Sequence, residues 1–238
     1  MLQSGVKVFA ISDLHLSFQT DKPMDLFGTQ WTNYEQRIMD DWNARVGDND
    51  VGIIAGDISW AMRMEDTQKD FEYLKKLKGK KIIIRGNHDY WWKSISKIRE
   101  TLEPDVFALQ NDSVQIGNIV FAGTRGWRVP ERRMTQSEED QKIYAREIIR
   151  FELALKDARA KSQTAPLIAI LHYPPFNASI DDSPFTQLCE KYGVKACVYG
   201  HLHGKQSRAQ LNVQKNGVQY YLTSCDLLGH TLVEVSLA

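Results

Sequence analysis

Polar residues that can bind metal ions follow short apolar segments at five places in the chain. These places are Asp13-Leu14-His15, Asp57, Asn87-His88-Asp89, His172 and His201-Leu202-His203, and they contain five of the six histidines. Buried parallel strands read as short apolar runs, and ligands of open α/β sheets gather beyond the carboxyl ends of the strands. We therefore expect these side chains to lie along one rim of the fold.

Seven of these residues are predicted metal ligands: Asp13, His15, Asp57, Asn87, His172, His201 and His203. Carboxylate, amide and imidazole donors without thiolates suit divalent ions such as Mn, Fe, Zn, Co or Ni. In extended geometry two residues at i and i+2 face the same way, so each Asp-x-His or His-x-His pair can converge on a metal cluster. Seven ligands are too many for one tetrahedral site and suit two metals ~3.5–4 Å apart, which can activate a water and hold phosphoryl oxygens. A structural site is the alternative, although structural zinc sites usually use cysteine.

Alternating strand-like and helix-like segments would position these residues. Apolar runs predict strands at 6–12, 51–56, 81–85, 106–109, 113–123, 167–171 and 195–199, and helical spacing predicts helices at about 31–46, 66–78 and 91–102. A longer helix begins after Ser137, which forms a capping box with Asp140. Its apolar residues Tyr144, Ile148, Phe151 and Leu155 predict a core-facing stripe.

The C-terminal third is predicted to be antiparallel. Strand signals cover 206–214, 218–223 and 231–236, and Lys215-Asn216-Gly217 predicts a hairpin turn. Together with the first two thirds, this pattern indicates two sheets packed face to face with helices outside, in a single domain over residues 1–238.

The composition limits the classes of partner and compartment. The 30 basic and 30 acidic residues cancel, so no global field favours nucleic acid or an anionic membrane. Three cysteines without metal-ligand spacing suit a reducing compartment. No apolar run approaches the ~18 residues of a membrane span, and the N-terminus lacks the pattern of a secretory signal. We expect a cytoplasmic protein; the sequence does not indicate its oligomeric state.

The ordered set of motifs resembles the calcineurin-like metallophosphoesterase superfamily. The resemblance rests on Asp13-x-His15, Gly56-Asp57, Gly86-Asn87-His88-Asp89, His172 and Gly200-His201-x-His203, and spans residues 13 to 203. It implies a small bacterial-type member with an α+β or α/β fold, namely a four-layer α-β-β-α sandwich of two mixed β-sheets flanked by helices.

The resemblance also implies a role for each motif residue. Asp13, His15, Asp57 and His203 would hold one divalent metal, and Asp57, Asn87, His172 and His201 would hold the other, so that Asp57 bridges the two. His88 would not bind metal. It would lie beside the substrate and protonate the leaving oxygen or stabilise the transferring phosphoryl group, as an imidazole can near neutral pH.

One departure concerns the residue that orients the catalytic histidine. Protein phosphatases of the superfamily carry GDxxDR, whose second Asp has that role, but Trp60 stands at this position here. The protein Ser/Thr phosphatase subgroup is therefore not expected. Asp89 is a candidate to orient His88, and it is equally a candidate to cap a helix that starts near Tyr90.

Several further residues have two interpretations. In the cluster of Arg125, Arg128, Arg132 and Arg133, Arg125 or Arg128 could clamp a phosphate, whereas a solvated surface balanced by Glu is the alternative. The tryptophans Trp60, Trp91, Trp92 and Trp127 could line a substrate pocket or belong to the core. His230, the sixth histidine, is predicted to be a structural residue with satisfied nitrogens.

The leading hypothesis is a dinuclear metal-dependent phosphoric ester hydrolase, a phosphomonoesterase or phosphodiesterase in which a metal-bridging hydroxide attacks phosphorus. The expected substrate is a small phosphate ester, whose identity the sequence does not indicate. One alternative is a non-catalytic metal-binding scaffold of the same fold. A nuclease is another alternative, which the zero net charge does not favour.

Overall fold

A computed structural model of the chain describes residues 5–132, 135–204 and 209–237. The strands are β1 Val8–Ile11, β2 Val51–Ile54, β3 Lys80–Ile84, β4 Val106–Leu109, β5 Asp112–Ile116, β6 Ile119–Gly123, β7 Leu167–Ile170, β8 Ala196–Tyr199, β9 Asn212–Lys215, β10 Val218–Leu222 and β11 Val233–Glu234. The α-helices are α1 Tyr34–Arg45, α2 Gln68–Lys75, α3 Ile95–Thr101, α4 Glu138–Lys161 and α5 Pro184–Lys191. Short 3₁₀ helices cover Met24–Phe27, Thr29–Trp31 and Met64–Thr67.

The strands form two mixed sheets, as expected from the sequence. The first has the order β11-β1-β2-β3-β4, and the second has the order β5-β6-β7-β8-β10-β9. Strands β1 to β4 are parallel to one another, as are β6, β7, β8 and β10. The carboxyl ends of β1, β2, β3, β7 and β8 carry the motif residues, so both sheets contribute to the predicted rim.

Three apolar layers hold the sandwich together. Residues of β1, β2 and β3 such as Ile53 and Ile82 pack between the sheets against residues of β6 and β7 such as Phe121 and Ile168. The outer face of the first sheet is covered by α1, α2 and α3, and that of the second sheet by α4 and α5. The four-layer α-β-β-α arrangement is therefore confirmed. Strands buried on both faces explain why β1, β2, β7 and β8 read as continuous apolar runs.

The long helix α4 follows its sequence signals closely. The hydroxyl of Ser137 accepts a hydrogen bond from the backbone N–H of Asp140, which caps the helix. Phe151 and Leu155 are fully buried, and Tyr144 and Ile148 pack against the same apolar cluster. The predicted core-facing stripe is therefore confirmed.

Several element predictions were wrong. The predicted helix 91–102 begins only at Ile95, because residues 90–92 form turns whose N–H groups bond to His88 and Asp89 carbonyls. The predicted helix 66–78 begins as a 3₁₀ helix and its α-helical part ends at Lys75. Helix α5 was not predicted, although Ser183 and Thr186 form a capping box at its start.

The antiparallel prediction for the C-terminal third holds for the pairing of β9 with β10 and of β11 with β1, but not for the pairing of β10 with β8. Strands β9 and β10 pair antiparallel around Asn216-Gly217, both with positive φ, but β10 pairs with β8 in the parallel sense. Strand β11 belongs to the first sheet, where it pairs antiparallel with β1. Residues 206–208 of the predicted strand 206–214 lie outside the described residues.

His230 packs in the core against the rings of Trp31 and Tyr34, with centroid distances of 5.0 and 5.6 Å. Neither of its ring nitrogens has a hydrogen-bond partner within the described ranges. The prediction of a structural residue with satisfied nitrogens was therefore wrong on the second point. Burial, with a smaller effect of the Arg37 charge, lowers the pKa of His230 to about 4.

None of the helices in the described ranges is both long enough and apolar enough to cross a membrane. The three cysteines, Cys189, Cys197 and Cys225, are buried and free.

Candidate metal centre

The predicted ligands lie just beyond the strand ends, where the chain turns sharply. Asp13, His15, Asp57 and His201 all have positive φ angles, of 60°, 48°, 51° and 73°. Such left-handed backbone is uncommon outside glycine, and it clusters at functional sites. The prediction that the i,i+2 pairs converge through extended geometry was therefore wrong in its reason, because turns and not strand backbone bring these side chains together.

Two groups of side chains come close enough to hold a metal ion. The first consists of Asp13, His15 and His203, and the second of Asp13, Asp57 and His172; within each, one possible ligand atom per residue lies within 4.8 Å of the others. Asp13 is common to both groups. Asp57 Oδ2 lies 3.4 Å from His172 Nε2 in its own group and 3.8 Å from His15 Nε2 in the other group, so its carboxylate is close to ligands of both.

The amide of Asn87 brings the two remaining predicted ligands together. Its Oδ1 lies 2.7 Å from His172 Nε2 and 2.8 Å from His201 Nδ1. The other nitrogen of His172, Nδ1, lies 3.0 Å from the carbonyl oxygen of Ala55. A ring that donates Nδ1–H to a carbonyl is fixed in orientation and presents Nε2 to a metal. All seven predicted ligands thus lie in one connected cluster.

Asp226 is a residue of the site that the sequence did not indicate. Its Oδ1 lies 3.1 Å from His203 Nδ1, while Oδ2 accepts a hydrogen bond of 2.8 Å from the backbone N–H of Gly204. His203 Nε2 lies 3.3 Å from Asp13 Oδ1. Asp226 therefore fixes the imidazole of His203 from behind, in the way that carboxylates orient metal-binding histidines.

The residues present fit divalent cations. Asp57 Oδ2 and His15 Nδ1 are buried polar atoms without hydrogen-bond partners in the part of the chain described. An unpaired buried carboxylate oxygen is costly unless a cation or donor compensates it. The donors are oxygens and imidazole nitrogens, which suit Mn, Fe, Zn, Co or Ni. The neighbouring Cys225 is a thiol, because burial raises its pKa well above the ordinary value.

The carboxylates and imidazoles of the cluster perturb one another strongly. Burial disfavours the charged form of His172, but the Asp57 carboxylate outweighs it and the pKa of His172 is raised to about 9. Burial is likewise outweighed at His203, where hydrogen bonds to Asp13 and Asp226 raise the pKa to about 10. Burial dominates at His15 and His201 and lowers the pKa of each to about 4. The imidazoles of His172 and His203 therefore bind a proton more readily than those of His15 and His201.

Trp60 and His88 pack against each other and against His15 at the site. The ring centroid of Trp60 lies 4.6 Å from that of His15, nearly parallel to it, and 4.6 Å from that of His88. Trp60 therefore packs against His88 at the position where protein phosphatases of the superfamily carry the orienting Asp. His88 Nδ1 is buried and has no hydrogen-bond partner among the described residues. Burial lowers the pKa of His88, and the charge of Asp57 opposes this shift.

Asp89 ties two loops of the site together. Its buried carboxylate accepts hydrogen bonds from the backbone N–H groups of Ile58, Ser59 and Gly86 and from Trp91 Nε1. Helix α3 begins several residues later and is preceded by Ser94, so of the two candidate roles of Asp89 the capping of a helix near Tyr90 is not observed. None of these hydrogen bonds comes from the His88 ring. Burial and the charge of Asp57 raise the pKa of Asp89 to about 6.

The arginines of the predicted cluster differ in burial and in their partners. Arg125 is half-buried, lies 3.9 Å from buried Glu147 and stacks over the ring of Trp127. Its carbonyl accepts the backbone N–H groups of His172 and Tyr173, so the residue adjoins the metal centre. Arg128 is exposed, and Arg132 forms an ion pair with Asp181. Arg133 lies outside the described residues.

The four tryptophans also divide. Trp91 and Trp92 are buried in the core beneath the first sheet. Trp60 contacts the histidines of the site, and Trp127 lies 5.1 Å from the ring of Tyr173. The ring centroid of Tyr173 lies 4.3 Å from that of His201, a contact that the sequence did not indicate.

At two motif positions only glycine fits, because a side chain would collide with a predicted ligand. A Cβ at Gly86 would lie 2.1 Å from Asp57 Oδ1, and one at Gly200 would lie 2.5 Å from Asp13 Oδ2. Any side chain at these positions would displace a predicted ligand. The glycine before Asn87 and the glycine before His201 therefore allow two strand ends to approach the carboxylates closely.

Solved structures share this fold at low sequence identity. A protein of unknown function from Aquifex aeolicus (AQ665) has a TM-score of 0.53 and 12% identity, covering 97% of this chain and 96% of its own. Phosphopantetheinyl hydrolase (PptH) from Mycobacterium tuberculosis has a TM-score of 0.52 and 15% identity, covering 96% and 95%. The protein TT1561 from Thermus thermophilus has a TM-score of 0.64 and 14% identity, covering 99% and 100%.

No curated protein matches the chain in sequence. The family model described as calcineurin-like phosphoesterase, however, matches residues 6–205, which include every motif residue of the site. This match covers most of the chain and agrees with the sandwich fold. The chain belongs to the calcineurin-like phosphoesterase family.

Proposed function

We propose that the protein is a dinuclear metal-dependent phosphoric ester hydrolase that acts on small phosphate mono- or diesters. Membership of the family supports a metal-dependent phosphoesterase in general. The observation that carries the dinuclear proposal is the buried, unpaired Oδ2 of Asp57, which lies between His15 and His172. A carboxylate oxygen in this position suits a shared ligand of two cations.

Each ion would have its own set of ligands. Asp13, His15 and His203 would hold one ion, and Asn87, His172 and His201 would hold the other, with Asp57 shared. When bound, two divalent cations supply positive charge that activates water and neutralises the oxygens of a phosphate. Asp226 and the carbonyl of Ala55 would keep His203 and His172 oriented toward the ions.

His88 would assist the departure of the leaving group by donating a proton to the ester oxygen. Its position supports this role, because the ring adjoins His15 at 5.5 Å and yet belongs to neither of the close ligand groups. Trp60, packed against the ring, would hold its orientation. Asp89 would act indirectly by fixing the loop that carries Asn87 and His88. Arg125, next to His172, is the better placed of the two predicted phosphate clamps.

The test of the metal proposal is the metal content of purified variants, measured by mass spectrometry after loading with Mn²⁺. We expect Asp57→Asn and Asn87→Ala to lose metal, because each removes an oxygen ligand. Asp48→Asn and Asn49→Ala, the same changes at exposed positions, should retain the content of the wild type. Retention of full metal content by Asp57→Asn would contradict the shared role of Asp57.

The test of catalysis is turnover of p-nitrophenyl phosphate and of methyl p-nitrophenyl phosphate by the loaded protein. We expect the wild type to hydrolyse at least one of the two, and His88→Ala to keep its metal while losing roughly 10²–10⁴-fold in rate. Full activity of His88→Ala would refute the proposed role. Metal binding without turnover of any ester would favour a scaffold, and salt-sensitive cleavage of DNA would favour a nuclease.

A further inference from the structure

A cavity of about 470 Å³ opens beside the candidate metal centre. His201 belongs both to the ligand cluster and to the cavity wall, so the two spaces adjoin. Other parts of the wall come from residues 128–131 and 135–137, which follow β6, from residues 174–180, which follow β7, and from residues at and after the end of β8. About half of the described residues that line it are apolar, and they include Val129, Phe176, Ile180, Tyr199, Leu202 and Val213.

Hydrogen bonds between the two loops fix the cavity walls. Arg132 Nε donates to Asp181 Oδ2 at 2.7 Å, and the backbone N–H of Ala178 donates to Glu131 Oε1 at 3.0 Å. The amide nitrogen of Asn177 donates to the carbonyl of Pro130 at 3.3 Å. The cavity is therefore a built feature of the fold in which both loops take part.

Six of the nine described polar residues in the wall form side-chain hydrogen bonds with the protein itself, and exposed Arg128 is one of the other three. Glu131, Gln136, Ser137, Asp140 and Asn177 all form hydrogen bonds within or beside the two loops. A sugar or a nucleobase needs hydrogen-bond partners when it is buried. An apolar group needs only the apolar walls that are present. The chemistry of the cavity thus favours an apolar occupant.

The backbone conformation of Ile180 is a second observation that points to a function of the cavity. Its φ is 57°, which is a genuine outlier for a β-branched residue, and glycine or asparagine would fit this turn with less strain. Backbone strain of this kind costs free energy and tends to cluster at functional sites. Here the strained turn presents an isoleucine to the cavity.

We propose that this cavity binds the organic part of the phosphate ester, and that this part is an apolar alkyl or aryl group. The inference rests on the proposed function, because the phosphoryl group would lie at the metal centre next to His201. The cavity volume falls within the ~300–1,000 Å³ that is usual for small-molecule sites. The preferred substrates are therefore esters of apolar alcohols, not sugar phosphates or nucleotides.

The experiment measures binding of alkylphosphonates, whose carbon–phosphorus bond is not hydrolysed, to the Mn²⁺-loaded protein by calorimetry. Each fully buried methylene adds roughly three- to fourfold in affinity. We expect octylphosphonate, below its micelle concentration, to bind at least about tenfold more tightly than methylphosphonate. Equal affinity for the two compounds would overturn the inference.

Two variants test the location of the alkyl chain. Ile180→Asn removes an apolar wall while suiting the left-handed backbone, and Ala178→Trp fills the cavity from its rim. Both should lose most of the preference for octylphosphonate and keep the affinity for methylphosphonate. Ile149→Asn, the same change on the exposed face of α4, is the matched control and should behave as the wild type. An unchanged preference in both cavity variants would overturn the inference.

Turnover of methyl p-nitrophenyl phosphate in parallel separates this inference from the proposed function. If chain length increases phosphonate affinity but no ester is hydrolysed, the cavity binds apolar phosphonates and the proposed function fails. If esters are hydrolysed but affinity does not depend on chain length, the proposed function stands and the cavity inference fails.

Discussion

Replacement of Gly200 by alanine tests whether the approach of two strand ends sets the position of Asp13. The added Cβ would lie 2.5 Å from Asp13 Oδ2 and 2.3 Å from Ser12 Oγ, whereas real Cβ contacts essentially never fall under 3.0 Å. The carboxylate must therefore move by about 0.5 Å or more, which is the tolerance within which a metal site must be held. Because Gly200 has no left-handed φ, the effect is steric and not conformational.

We expect Gly200→Ala to bind Mn²⁺ roughly 10–100-fold more weakly, as do variants that disturb the orientation of metal ligands. Crowding should also lower the free energy of unfolding by about 1–3 kcal/mol. Calorimetric titration with Mn²⁺ measures the first effect, and urea unfolding of the metal-free protein measures the second. Gly5→Ala is the control, since nothing lies within 4 Å of a Cβ there. Wild-type Mn²⁺ affinity of a folded Gly200→Ala protein would refute the reasoning.

Three other substitutions have defined outcomes. Asp226→Asn should weaken Mn²⁺ binding by roughly 10–100-fold, because it weakens the hydrogen bond that orients the imidazole of His203. The control Asp48→Asn should leave Mn²⁺ binding unchanged. Trp60→Leu should lower turnover more than Mn²⁺ binding, because it loosens His88; an equal loss of both would contradict this role. Burial lowers the pKa of His230 from 6.5 to about 4, so the unfolded chain binds a proton before the folded one as the pH falls. When the pH falls from 7 to 4, this group should lower the free energy of unfolding of the wild type by roughly 3 kcal/mol. His230→Phe lacks the group and should not show this part of the loss, which urea unfolding at the two pH values measures.

The gathering of the candidate ligands at one rim was predictable because two local signals coincide at each of the five motifs. A buried parallel strand is apolar on both faces, so its end stands out in the sequence, and the first polar residues after it carry the chemistry. Residues such as Asp57 and His172 could be identified for this reason. The left-handed turns at Asp13, His15 and His201 could not, because φ is set by the packing of neighbouring loops and not by residue type alone.

The residues that orient the imidazoles of the site could not be identified from the sequence. Asp226 follows Cys225 in no recognisable motif, and only the close approach of the segment after β10 brings it to His203. Trp60 was noted as a departure from the protein phosphatases, but its contact with His88 depends on the conformation of the loop after Asp57. The direction of β10 and the transfer of β11 to the other sheet likewise depend on strand pairing over long distances along the chain.

The central claim is that two metal ions share Asp57 at this rim. The most direct measurement is an anomalous difference map from crystals of the Mn²⁺-loaded protein. We predict two peaks about 3.5–4 Å apart, one beside Asp13, His15 and His203 and the other beside Asn87, His172 and His201, with the Asp57 carboxylate between them. A single peak, or two peaks without Asp57 between them, would contradict the account.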